Sequence, residues 1–160
     1  MKRDDEAYIH YQECITSLNV AWRTIGKLEE LSVDPVLSRA AYHMALIDYA
    51  KPFTKSYGKN GRAHQLKVSQ LLSDKEKALH RDLMKLRNTF LAHSDLNEKD
   101  AKVYLGSIGN EPLPLIVSNT DPLLPKLADV RRLIERTLDI LYKELPLCLE
   151  RFKGQEFNPD

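Results

Sequence analysis

The chain has 160 residues, with 24 basic and 23 acidic side chains, a formal net charge of +1, and 42% hydrophobic and 29% charged residues. That length can bury a real core within one domain, and the composition excludes both a disordered polymer and a membrane-embedded chain. A protein that coats nucleic acid nonspecifically is usually far more basic, so any nucleic-acid contact here has to be local.

The amino terminus, "MKRDDEAY", is charged and has no apolar h-region, so no signal peptide is expected. No apolar run approaches the ~20 residues of a membrane-spanning helix, so the expectation is a cytoplasmic protein with no membrane partner. Cys14 and Cys148 lie far apart in the chain and read as core thiols in a reducing compartment. A disulfide framework or a zinc ribbon would need more cysteines at closer spacing.

In chain order, the first element runs from about Asp4 to Val33, where Tyr8, Tyr11, Ile15, Leu18, Trp22 and Ile25 recur at helical steps. "VDPVL" then stops one helix and starts another. Asp34 supplies the N-cap and Pro35 the first helical position, where its missing N–H costs nothing. The second helix is expected to bury Leu37, Ala40, Met44 and Ile47, and Pro52 to kink or end it. A basic stretch from Lys51 to Lys67 follows, turning at Gly58, Asn60 and Gly61. Ser73 to Glu76, "SDKE", is a capping box that opens a third helix with the stripe Leu79, Leu83, Leu86 and Phe90.

From Asn97 to Asp121 the helical pattern disappears. β-type residues around "GSIGN" suggest a short hairpin or an irregular excursion, while Pro112 and Pro114 argue against a regular ladder. "NTDP" is read as the cap of a last helix, with the stripe Leu127, Val130, Ile134, Leu138, Leu141 and Leu145, and Pro146 is expected to bend or shorten it. Four helices with one apolar face each predict an all-α chain, packed as an antiparallel four-helix bundle with a short insertion before the last helix. The prolines keep an irregular orthogonal bundle as the alternative.

The third helix carries the most specific signal. Its seam of leucines continues to His93, where packing would place another leucine, and Arg87 borders the same face. In a straight helix these two side chains are about 120° apart and roughly 9 Å apart along the axis, a gap that a bent or frayed helix end could narrow. A histidine can take and give protons near neutral pH, and an arginine fork matches phosphate oxygens. That pair, without a carboxylate cluster, suits metal-independent cleavage of a phosphodiester whose own 2′-hydroxyl attacks, which means RNA. The structural alternative pairs Arg87 with an acid from the first or last helix and makes His93 a helix-end cap.

Arg87-Asn88-x-x-x-x-His93 resembles the R-polar-x4-H signature of HEPN domains, and "RNTFLAHSD" resembles the wording of abortive-infection HEPN proteins. The resemblance implies a single HEPN-like helical domain over residues 1–160 and a metal-independent endoribonuclease acting as a toxin or antiviral effector. It implies a homodimer whose motifs face each other across a twofold axis, with Arg87 and His93 catalytic and Asn88 as orienter. An antitoxin or other partner protein is a further expectation. The alternative is a catalytically inactive HEPN-like module that dimerises or binds a nucleotide or protein.

Lys51, Lys55, Lys59, Arg62 and Lys67 are the candidate RNA-backbone clamp, with Tyr57 or Phe53 as a stacking face; a plain solvated loop is the competing reading. No cofactor and no metal is expected, because His10, His43, His64 and His80 form no ligand set at metal spacing with a carboxylate. A DNA-binding regulator fits less well, given the near-neutral charge and the lack of a glycine turn between two short helices.

Overall fold

The computed structural model describes residues 3–31, 34–59, 61–91, 102–109, 111–117 and 123–150. Four long helices dominate: α1 (Arg3–Glu30), α2 (Pro35–Ala50), α3 (Asp74–Leu86) and α4 (Leu127–Glu150). The all-α expectation needs one correction, because two antiparallel ribbons are also present. β1 (Ser56–Tyr57) pairs with β2 (Ala63–His64), and β3 (Lys102–Ile108) pairs with β4 (Glu111–Val117).

α1 packs along both α2 and α4, and α3 touches the same two helices. Between them lies one cluster of buried residues, including Leu18, Ile25, Leu46, Tyr49, Leu83, Leu133, Ile134 and Leu141. Thr137 is buried among them, and its Oγ1 donates to the Leu133 carbonyl at 2.8 Å, so the hydroxyl is satisfied inside its own helix. α1 and α4 are also clasped at their rim. Trp22 Nε1 donates to Glu135 Oε1 at 2.8 Å, and the Arg131 guanidinium lies 5.3 Å from the Trp22 ring while pairing with Glu29 and Glu135.

The helix starts follow from their capping residues. The Asp34 carboxylate accepts from the Val36 and Leu37 amides at 2.9 and 3.3 Å. Ser73 and Glu76 close a reciprocal capping box, with Ser73 N donating to Glu76 Oε2 at 2.7 Å. Two expectations are corrected. α2 buries Tyr42, Ala45, Leu46, Tyr49 and Ala50, whereas Leu37 and Met44 are 61% and 53% exposed. The helix carries two apolar stripes, and the one with aromatic bulk and partners for its hydroxyls faces inward: Tyr42 donates to the Pro125 carbonyl, and Tyr49 meets His80. "NTDP" lies outside the described residues; α4 begins at Leu127, and Leu123–Lys126 before it belong to no helix or strand. Pro146 does not shorten α4, which continues to Glu150.

Pro52 does end α2: the chain passes into a 3-10 turn, Lys51–Phe53, with Pro52 and Phe53 buried. The turn expected at Gly58–Gly61 joins β1 to β2. There Gly61 takes a φ of 69°, which a glycine adopts without steric cost, while Asn60 lies outside the described residues.

The β3–β4 ribbon is a regular seven-residue ladder in spite of its prolines. Its register pairs Leu105 with Pro114 and Ser107 with Pro112, with Ile108 opposite Glu111 across a two-residue loop. Gly109 in that loop has a φ of 64°, as a tight hairpin turn requires. Prolines cannot donate, so the ladder bonds run through the intervening residues, and both prolines sit where an N–H would point away from β3.

Candidate functional site

α3 is built to present its C-terminal end. Leu83 and Leu86 are buried, and Leu79 packs against the core from a half-buried position. The last turn then changes character: residues Arg87–Leu91 form a π-helical turn. Thr89 Oγ1 donates to the Lys85 carbonyl at 2.9 Å, a back-bond that bends helices, and the Arg87 amide reaches both the Leu83 and Met84 carbonyls. Single π turns inside α-helices recur at functional sites.

Arg87 is half-buried on this turn, and Asn88 is exposed. Arg87 Nη1 donates to Asn88 Oδ1 at 3.0 Å. Among the described residues no carboxylate pairs with Arg87, so the acid from α1 or α4 that a purely structural role would supply is not found there. His93 and Asp95 lie outside the described residues, as does the side chain of Phe90.

The basic stretch is divided by the fold. Lys55, Lys59, Arg62 and Lys67 are exposed on and around the β1–β2 ribbon, together with Tyr57, which is 70% exposed. Lys51 is also exposed but is tied to Asp48 at 2.5 Å. Phe53 belongs to the core and offers no stacking face. The ribbon is anchored by Glu6 of α1, a buried carboxylate that accepts from the Lys59 amide at 2.8 Å. A Cβ on Gly58 would fall 2.0 Å from Glu6 Oε1, so only glycine allows this approach.

Glu6 also lies at the head of a polar cluster that local sequence reading does not assemble. His64 Nε2 is 3.3 Å from Glu6 Oε2, the His10 and His64 rings are 5.3 Å apart, and Cys14 Sγ is 3.8 Å from the His10 ring nitrogens. The one trace in the sequence is Glu6, His10 and Cys14 at four-residue steps, one face of a helix. Burial, and then His64, lowers the pKa of His10, and burial pushes the Cys14 thiol up to about 11, so the thiol is not a ready nucleophile. Among the described residues no group of three such side chains could hold a metal ion. His80 is held separately, its Nδ1 2.8 Å from the Tyr49 hydroxyl and its ring edge-on to Phe53 at 4.6 Å. No helix of the described residues is long and apolar enough to cross a membrane.

The family model HEPN_AbiU2, described as AbiU2, matches residues 34–143, more than half of the 160-residue chain. The chain belongs to the AbiU2 family of HEPN domains. The AbiU2 match begins at the Asp34 cap of α2 and ends inside α4, so it spans the π turn with Arg87 and Asn88, the position of His93 and both ribbons. α1 precedes the AbiU2 match, yet it supplies Leu18 and Ile25 to the same buried cluster. No curated protein and no solved structure matches the chain.

Proposed function

We propose that this AbiU2 HEPN chain is a metal-independent endoribonuclease serving as a toxin or antiviral defence effector. In this reading it is a single HEPN-like domain over residues 1–160, its four helices closing an antiparallel bundle, and it works as a homodimer in the cytoplasm. The observation that carries the reading is Arg87 on the π turn, within the family match, with Asn88 as its side-chain partner and no carboxylate partner among the described residues.

The 2′-hydroxyl of RNA attacks the adjacent phosphorus, and the bond from phosphorus to the 5′-oxygen breaks. His93 takes the hydroxyl proton or donates one to the departing oxygen. Arg87 stabilises the charge that builds on the phosphorane, and Asn88 orients the guanidinium. The products are a 2′,3′-cyclic phosphate and a 5′-hydroxyl. Lys55, Lys59, Arg62 and Lys67 hold the RNA backbone, with Lys51 at the edge of this patch and Tyr57 as the stacking face.

The test is incubation of the purified chain with single-stranded RNA in EDTA, followed by analysis of the fragment ends. Cyclic phosphate ends that disappear in a folded His93→Ala variant are the expected result. Wild-type protein that leaves RNA intact, or a His93→Ala variant that cuts equally well, would favour the catalytically inactive binding module instead.

A further inference from the structure

The outer face of α3 carries a groove that neither the motif nor the basic ribbon uses. It encloses about 640 Å³ and is lined by Gln70, Asp74, Lys77, His80 and Arg81. Gln70 comes from the 3-10 turn Ser69–Leu71 just before α3, and the others from the helix itself. Arg81 is exposed and makes no hydrogen bond or ion pair among the described residues. Lys77 pairs with Asp74 at 3.3 Å at the surface, where such pairs are weak and a phosphate can displace the carboxylate. His80 is held rigidly. The Tyr49 hydroxyl, fully buried, lies 2.8 Å from His80 Nδ1, its one partner among the described residues. Its proton therefore goes to Nδ1, and the neutral imidazole carries its own proton on Nε2. Nε2 has no partner among the described residues and is not sealed from solvent, so it is a donor open to the groove.

The helix lines this groove up with Arg87. A seven-residue step leads from His80 to Arg87, and the same step leads from Arg81 to Asn88. Each step is about 10 Å along the axis and only about 20° around it. Arg87 keeps its helical place, since its amide still reaches the Leu83 and Met84 carbonyls. From Lys77 to Asn88 the one acid is Asp82, which falls on the opposite side of the helix, so this face offers only positive and neutral groups. We infer that the groove at Lys77, His80 and Arg81 is a subsite for a second nucleotide of the RNA strand whose scissile phosphate meets Arg87. The inference rests on the RNA-cleaving reading above and adds a binding site to it. Arg81 and Lys77 take the phosphate oxygens. His80 Nε2–H donates to the phosphate or to the 2′-hydroxyl, and the Gln70 amide, donor and acceptor at once, meets the base edge. Phosphate contacts of this kind fix where the strand lies, and so bring the scissile bond to Arg87.

Binding of a labelled single-stranded RNA to the full chain carrying His93→Ala, read by fluorescence anisotropy in EDTA, tests the groove without any cutting. Adding Arg81→Ala is expected to raise the dissociation constant about tenfold, and Lys77→Ala to raise it by less, because Lys77 is shared with Asp74. Lys75→Ala removes the same charge from the opposite side of α3 and should change it much less. The subsite and the nuclease reading fail separately. RNA that binds through Arg81 but is left uncut by the wild-type chain would keep the subsite and remove the nuclease. An Arg81→Ala chain that binds as tightly as its parent, or a Lys75→Ala loss as large as that of Arg81→Ala, would overturn the subsite even where the wild type cuts. A parent chain with no measurable affinity for RNA would overturn the subsite outright.

Discussion

Arg87 donates from Nη1 to Asn88 Oδ1 at 3.0 Å across the first step of the π turn. The bond uses one of the guanidinium's five donors and leaves the rest of the fork to meet phosphate. Arg87→Ala should therefore lower RNA cutting by about a hundredfold to a thousandfold, as the loss of a charge-stabilising donor does. Arg87→Lys should rescue little, because a point charge lacks the fork. Asn88→Ala should cost about tenfold, since it removes the orienting hydrogen bond and not the charge. Single-turnover cleavage of a labelled RNA reads all three, with circular dichroism to verify folding. An Arg87→Ala variant with wild-type turnover would end the assignment.

The clamp reading of the basic ribbon makes a salt-dependent claim. Lys59→Glu and Arg62→Glu should each weaken RNA binding across all sequences and lower the slope of log affinity against log salt by about one. A plain solvated loop would leave that slope unchanged. Fluorescence anisotropy over a salt series separates the two.

Acid should destabilise the fold partly through His80. Burial holds its pKa below the ordinary 6.5, so the unfolded chain binds this proton more readily than the folded one. The stability that comes with neutral His80 is intact above 6.5 and is lost as pH falls below it. Burial lowers His10 too, so it acts in the same direction. Urea midpoints at pH about 7.5 and about 5.5 should differ less in His80→Gln than in wild type, with His10 sustaining part of the drop. An unchanged difference would remove His80 from the account.

The two faces of α2 give a contrast in stability. Leu46 is wholly buried, so Leu46→Ala should cost about 2–5 kcal/mol. Met44 lines an open groove of about 640 Å³ between α1 and α2, and Met44→Ala should stay within about 0.5 kcal/mol of wild type. Chemical denaturation of both variants measures the difference, and equal losses would contradict the observed face.

Gly58 is the contact point of the β1–β2 ribbon with α1. Gly58→Ala should cost about 1–3 kcal/mol, because the new methyl displaces the Glu6 carboxylate from the Lys59 amide. Hydrogen exchange at the Lys59 amide should rise along with the loss of stability. A variant as stable as wild type, with Lys59 still protected, would show that Glu6 is not the anchor.

Local signals determined where α2 and α3 begin and what kind of site to look for. Asp34 with Pro35, and Ser73 with Glu76, are capping chemistry that acts within a few residues, so they were legible without any fold. The motif at Arg87 and Asn88 was legible for the same reason, as a spacing along one helix. The face α2 turns inward was decided only by packing, because both of its stripes are apolar and the partners Pro125 and His80 come from distant parts of the chain. The same holds for Glu6, His10 and His64, brought together by the return of β2 onto α1. The regular ladder at Pro112 and Pro114 was also a tertiary outcome: a proline breaks a strand only where its missing N–H is needed, and pairing with β3 turned both prolines to the side where it is not.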